Sequence, residues 1–155
     1  MFSIPLATAV MIGWPEIFIM LIMGFYLSNI RKLNIFKLLF IAFIQAIITY
    51  QVRKLTGIFG IHTIVHMITL TLLVYFILNI SFYKAAIPVL MGTVLEGMIQ
   101  SSMLPNILNF CKIDVCNLAQ KPKDITLCFM PIFIVSFLFI FLIKKFNLSL
   151  WDVEK

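Results

Sequence analysis

Charge is scarce in this chain. Only 12% of its 155 residues are Asp, Glu, Lys or Arg, where a soluble domain carries about 25%, and no ordinary water-facing surface can be built from so few. Cysteine is scarce too. Cys111, Cys116 and Cys128 give an odd count with no Cys-x-x-Cys pair, which argues against a disulfide framework and against a structural zinc site with four ligands. A Cys111–Cys116 disulfide stays open, while Cys128 reads as apolar filler. No Gly-rich phosphate loop is present, and the histidine pair lacks the Glu that zinc proteases place after the first His, since Thr63 stands there. No basic residue precedes the first apolar run, so a secretory signal with its positive n-region is not expected, and the first span reads as retained.

What fills the chain instead is hydrocarbon. The sequence is 63% hydrophobic, with a mean hydropathy of +1.11, and its apolar runs approach the roughly 20 residues that a bilayer crossing needs. The expected fold class is all-α: a polytopic integral membrane bundle of about five transmembrane helices. Residues 1–150 form one membrane-embedded domain, and 151–155 form a short cytoplasmic tail. The net charge of +6 does not point to nucleic acid. The basic residues come as pairs at the ends of apolar runs, Arg31-Lys32, Arg53-Lys54 and Lys144-Lys145, where they terminate and orient spans.

In chain order, the first span covers about 4–30 and contains Trp14-Pro15-Glu16. It is either a kinked helix throughout or a crossing that starts near Pro15, with 1–13 in the interface, Trp14 at headgroup level and Glu16 in a first turn favoured by the helix dipole. The second span, about 35–52, places Ala42, Gln45, Ala46, Thr49 and Arg53 on one face. Ala42-x-x-x-Ala46 is the small-residue spacing that lets helix backbones approach, and Gln45 and Thr49 are placed to hydrogen-bond across that contact. The third span follows Gly57 and Gly60 and carries His62, His66 and Thr69 on one face. The fourth, about 85–104, has Pro88 in its first turn and aligns Gly92, Glu96 and Gln100, with Pro105 just beyond it. A polar connection over 106–124 leads to a fifth span, about 125–143. With the N-terminus outside, the cytoplasmic segments carry seven basic residues (Arg31, Lys32, Lys37, Lys84, Lys144, Lys145, Lys155) and the external ones five (Arg53, Lys54, Lys112, Lys121, Lys123).

Five ionisable residues are not loop charges: Glu16, Arg53, His62, His66 and Glu96. With Gln100 they converge on the half of the bundle where the first span begins. A carboxylate in hydrocarbon must neutralise or pair, and Arg53 and the histidines are the expected partners. Such a group either fixes helix register or lines a pocket for a small or lipid-phase ligand. A two-histidine metal site and a proton relay are lesser readings, and no cofactor is expected. A cysteine-histidine membrane peptidase would need a cysteine beside a histidine, and nothing in the spacing favours one.

Pro15-Glu16, Arg53, Phe59-Gly60-Ile61-His62-Thr63, Glu96, Pro105 and Pro131, in that order, resemble the N-terminal membrane region of bacterial GHKL-type (Spo0B-like) sensor histidine kinases of Firmicutes, over about residues 10–150. In those kinases a phosphoacceptor and ATP-binding portion follows the membrane region. Only ten residues follow Lys145 here. The resemblance therefore implies a non-enzymatic sensory or regulatory module of the bacterial cytoplasmic membrane, part of a two-component system, signalling to a cytoplasmic histidine kinase or similar partner. The alternative is a small-molecule transport subunit of the vitamin-transporter substrate-binding type, for which Ala42 and Ala46 fit and a five-span count fits less well.

Overall fold

The structure, a computed structural model, describes residues 6–31, 33–55, 61–111 and 122–152. Among these residues the fold is all-α, with five helices: α1 (Leu6–Leu27), α2 (Ile35–Leu55), α3 (Ile61–Leu78), α4 (Phe82–Cys111) and α5 (Pro122–Lys145). Four are long and apolar enough to cross a membrane, over Thr8–Leu27, Ile35–Lys54, Phe82–Phe110 and Cys128–Lys145. The apolar stretch of α3, His62–Leu78, is shorter. At 1.5 Å per residue the 18 residues of α3 rise about 27 Å, slightly less than a hydrocarbon core of about 30 Å.

Proline interrupts less than the sequence suggests. Pro15 lies inside α1, which is helical from Leu6 onward, so the helix does not begin at Pro15. Trp14 is correspondingly eight residues into the helix, where its indole N–H donates to the Leu39 carbonyl at 3.1 Å and its ring meets Phe43 edge-on. Likewise α4 continues through both Pro88 and Pro105 to Cys111. Pro88 therefore falls in the second turn rather than the first, and 106–111 are helix rather than connection. A proline ring removes one helical donor, but in an apolar medium the remaining backbone groups still gain most by staying helical. The Cys111–Cys116 pairing lies outside the described side chains, as do the side chains of the rest of the polar connection.

α1 is the innermost element. Half of its apolar window is buried, against 28%, 33% and 22% for α2, α4 and α5. It packs on α2, α4 and α5, while α3 packs on α2 and α4. Helices α1 to α4 thus form a closed circuit, and α5 lies outside it against α1 and α4. Within the circuit, an apolar core that includes Met20, Leu21, Phe25, Leu38, Ile41, Leu70, Val74 and Val89 fills the half where α1 ends. A second core, with Ile19, Met23, Ile99 and Ile132, seats α5. The outward faces carry exposed Phe36, Phe40, Phe43 and Ile47 on α2, and Ile134, Phe137, Leu138 and Phe141 on α5. Such a girdle suits lipid, where apolar exposure carries no penalty.

The end of the bundle where α1 finishes is tied by polar contacts. Asn29, Asn79 and Asn147 take positive φ (60°, 53° and 50°) just past α1, α3 and α5, the left-handed position that ends many helices. After α1, the Ile30 N–H donates to the Phe25 carbonyl and the Asn29 N–H to the Tyr26 carbonyl, which is a Schellman motif. Beyond α5 the chain folds back: the Leu150 and Trp151 amides donate to the Leu27 carbonyl at 2.9 and 3.3 Å, and Arg31 Nη1 donates to Asn147 Oδ1 at 2.9 Å. The caps make a graded prediction. Asn79→Gly should leave thermal stability unchanged or slightly raised, whereas Asn79→Val should cost about 1–2 kcal/mol, read as a drop in unfolding temperature in detergent. Equal behaviour of the two variants would refute the capping role.

Candidate functional site

The half of the circuit where α1 begins is not filled by apolar side chains. It holds a cavity of about 480 Å³ between α1, α2, α3 and α4, with Phe129 of α5 on one wall. Glu16, Arg53, His62, His66, Glu96 and Gln100 all line it. The six polar positions picked from the sequence therefore meet in one space. The helices deliver them because Glu16 lies in the middle of α1, Glu96 in the middle of α4, and Arg53 and the histidines at the adjoining ends of α2 and α3.

Two hydrogen-bonded sets form the walls. In the first, the side-chain amide of Gln100 donates to Glu16 Oε1 at 2.7 Å and reaches Glu96 Oε1 at 3.4 Å. Ser136 of α5 donates to the Glu96 carboxylate, 3.1 Å from Oε2 and 3.3 Å from Oε1. Glu96 is 3% exposed, so this set pins α1, α4 and α5 together at a buried carboxylate. In the second, Gln45 Nε2 donates to Thr69 Oγ1 at 2.8 Å and to the His66 carbonyl at 3.2 Å. The His66 ring nitrogen Nδ1 lies 2.8 Å from Thr49 Oγ1 and 3.1 Å from Gln45 Nε2. This set joins α2 to α3.

The two sets add donors that the expected partners, Arg53 and the histidines, did not include. Among the described residues, Gln100 and Ser136 donate hydrogen bonds to Glu16 and Glu96, while Arg53, His62 and His66 line the same cavity. Arg53 is solvent-exposed at the rim, and His66 is engaged by α2. Neutral donors therefore serve the carboxylates, and the cation stands at the mouth.

The small-residue face of α2 divides its work. Ala42 and Ala46 are buried in the circuit core, and a Cβ on Gly13 of α1 would stand 3.7 Å from the Ala46 Cβ. Gln45 and Thr49 turn toward α3 as just described. Gly92 meets α1, where a Cβ would collide with the Met20 carbonyl oxygen.

Sequence reasoning missed Ser136 and Gly24. Ser136 is fully buried and is the only hydroxyl between Cys128 and Ile143. The logic that singled out Glu96, a polar group alone in an apolar run, would have found it. Thr93 was missed as well; its hydroxyl donates to the Val89 carbonyl at 2.6 Å on the cavity wall. Among the described residues, no three His, Cys, Asp or Glu side chains come together as a metal site would require. Compared with known protein families, curated proteins and solved structures, the chain matches none.

Proposed function

We propose that this chain is a non-enzymatic sensory or regulatory module of a bacterial cytoplasmic membrane, its N-terminus outside and its C-terminus in the cytoplasm. A small or lipid-phase ligand enters the cavity, and a cytoplasmic partner, a histidine kinase or similar signalling protein, reads the result at the opposite end. One observation carries the reading: α1 and α5 are joined twice, through Glu16, Gln100, Glu96 and Ser136 at the cavity and through Arg31, Asn147 and the Leu27 carbonyl at the far end. A ligand that competes for Glu16 or Glu96 changes the first junction, and helices of fixed length transmit the change to the second. For this to work the ligand must bind one of two arrangements better than the other. The resemblance to the membrane region of GHKL-type kinases adds to this reading.

The test is purification of the full chain from its native membrane in mild detergent, with bound proteins and small molecules identified by mass spectrometry. The expected result is a co-purifying histidine kinase or response regulator whose recovery falls when the far junction is broken by Arg31→Ala with Asn147→Gly. Recovery of transport ATPase subunits in its place would overturn the sensory reading in favour of a transport subunit.

A further inference from the structure

We infer that the cavity takes an amphipathic organic ammonium compound, its nitrogen held by Glu16 and Glu96 and its apolar body lying along Ile12, Ile17 and Phe129. This rests on the reading above that the cavity is a ligand site, and adds the class of ligand.

The donors of Tyr50, Arg53 and the histidines lie on α2 and α3, whereas the inner wall, formed by Glu16 of α1 with Thr93 and Glu96 of α4, is rich in acceptors. Two carboxylates offer about eight lone-pair sites, and the hydrogen-bond donors they receive among the described residues include one amide nitrogen of Gln100 and one hydroxyl of Ser136, far fewer than eight. Thr93 adds to the imbalance. Its proton is committed to the Val89 carbonyl, so the hydroxyl can turn only lone pairs to the cavity. A ligand that satisfies such a wall must bring N–H or O–H groups, and a positive charge strengthens those bonds about twofold over neutral ones. An anion would be drawn by the exposed Arg53 at the rim, but at the inner wall it would sit against two carboxylates, in a medium that screens poorly.

A bare metal ion fits less well than an ammonium. Two carboxylates leave a hard divalent cation short of the six or more oxygens it takes, and no third His, Cys, Asp or Glu among the described residues joins them. A primary ammonium needs only three acceptors. The apolar part of the lining, with Ile12, Ile17 and Phe129, then supplies what a metal would not use. The volume, about 480 Å³, lies within the range of about 300–1,000 Å³ typical of small-molecule sites.

The experiment uses the full chain in detergent and three probes with the same phenylethyl body: 2-phenylethylammonium, 2-phenylethanol and 3-phenylpropanoate. Binding is read by isothermal calorimetry and by the shift in unfolding temperature. The ammonium is expected to bind at least about tenfold more tightly than the alcohol, and the propanoate not at all. The preference should vanish in Glu16→Gln and in Glu96→Gln, and persist in Arg53→Gln. Equal binding of ammonium and alcohol, tighter binding of the propanoate, no binding of the ammonium, or an undiminished preference in both Glu variants would each overturn the inference. Should Glu96→Gln fail to fold, Glu16→Gln alone carries the comparison.

Spin labels at Lys37 and Phe146 separate this inference from the sensory reading. Ammonium binding with no change in label spacing keeps the ligand class and removes the sensing role. A spacing change driven by the propanoate keeps sensing and removes the class.

Discussion

Alanine at Gly24 or at Gly92 should destabilise the protein by about 2–3 kcal/mol each, the upper part of the range for overpacking. A Cβ on Gly24 would collide with the Pro88 carbonyl oxygen and stand 2.8 Å from its carbon, with the Gly92 nitrogen at 3.1 Å. A Cβ on Gly92 would collide in turn with the Met20 carbonyl oxygen and stand 3.1 Å from its carbon. These are backbone atoms, so no side-chain rotation relieves the clash; the helices themselves must separate. Met20 and Gly24 are one turn apart on α1, as Pro88 and Gly92 are on α4, and each glycine meets the other helix's residue. Bilayer-embedded helices associate through close packing rather than through burial from water, so separating α1 from α4 removes contacts that nothing else replaces.

The two substitutions act on one crossing, and their effects should fall well short of additive, because helices already forced apart by the first leave room for the second. Gly97→Ala is the control. Its Cβ would have nothing within 4 Å, and alanine favours a helix over glycine by about 0.5–1 kcal/mol, so this variant should match or exceed the parent. Thermal unfolding in detergent reads all five proteins: the parent, the three single variants and the Gly24→Ala, Gly92→Ala double variant. If Gly24→Ala behaves like Gly97→Ala, the close crossing does not exist.

That crossing also explains which features the sequence makes legible. The all-α class follows from apolar runs long enough to cross a bilayer, because a chain in hydrocarbon satisfies its own backbone by forming helices or a closed barrel. The six cavity residues were legible for a related reason: polar groups are rare in such runs, and helical spacing with alternating span direction sends them to one half of the bundle. What was not legible is pairwise. Composition indicates that Glu96 needs a partner but not that the donors are Gln100 on its own helix and Ser136 from α5, since that depends on which helices are neighbours. Gly24 looks like any glycine in a span until Pro88 is placed against it. Helix limits failed at Pro88 and Pro105, where the soluble-protein expectation that proline marks an end gives way to the cost of unpaired backbone in lipid.

Gln100→Leu should produce a loss of similar size, about 2–4 kcal/mol, through electrostatics and lost hydrogen bonds rather than clash. The wild-type amide nitrogen is within reach of carboxylate oxygens from two helices, 2.7 Å from Glu16 Oε1 and 3.4 Å from Glu96 Oε1. Leucine fills much of the same volume but offers no donor, leaving two carboxylates side by side in a low-dielectric setting with only the Ser136 hydroxyl to serve Glu96. Removing the donor to a buried carboxyl group is costly because the group's desolvation is no longer offset. The sign of the second step distinguishes this account from simple loss of packing. Adding Glu16→Gln to the Gln100→Leu protein removes one of the two adjacent acidic groups and returns an amide donor on the α1 side, so it should recover at least half of the lost stability. The same change in the parent should be neutral or mildly destabilising, because it forfeits the Gln100 bond to a charged acceptor. Unfolding temperatures of the four proteins in one detergent complete the cycle. Additive losses, with the double variant the least stable of the four, would mean that Gln100 supports the bundle by its volume and that Glu16 and Glu96 do not share it.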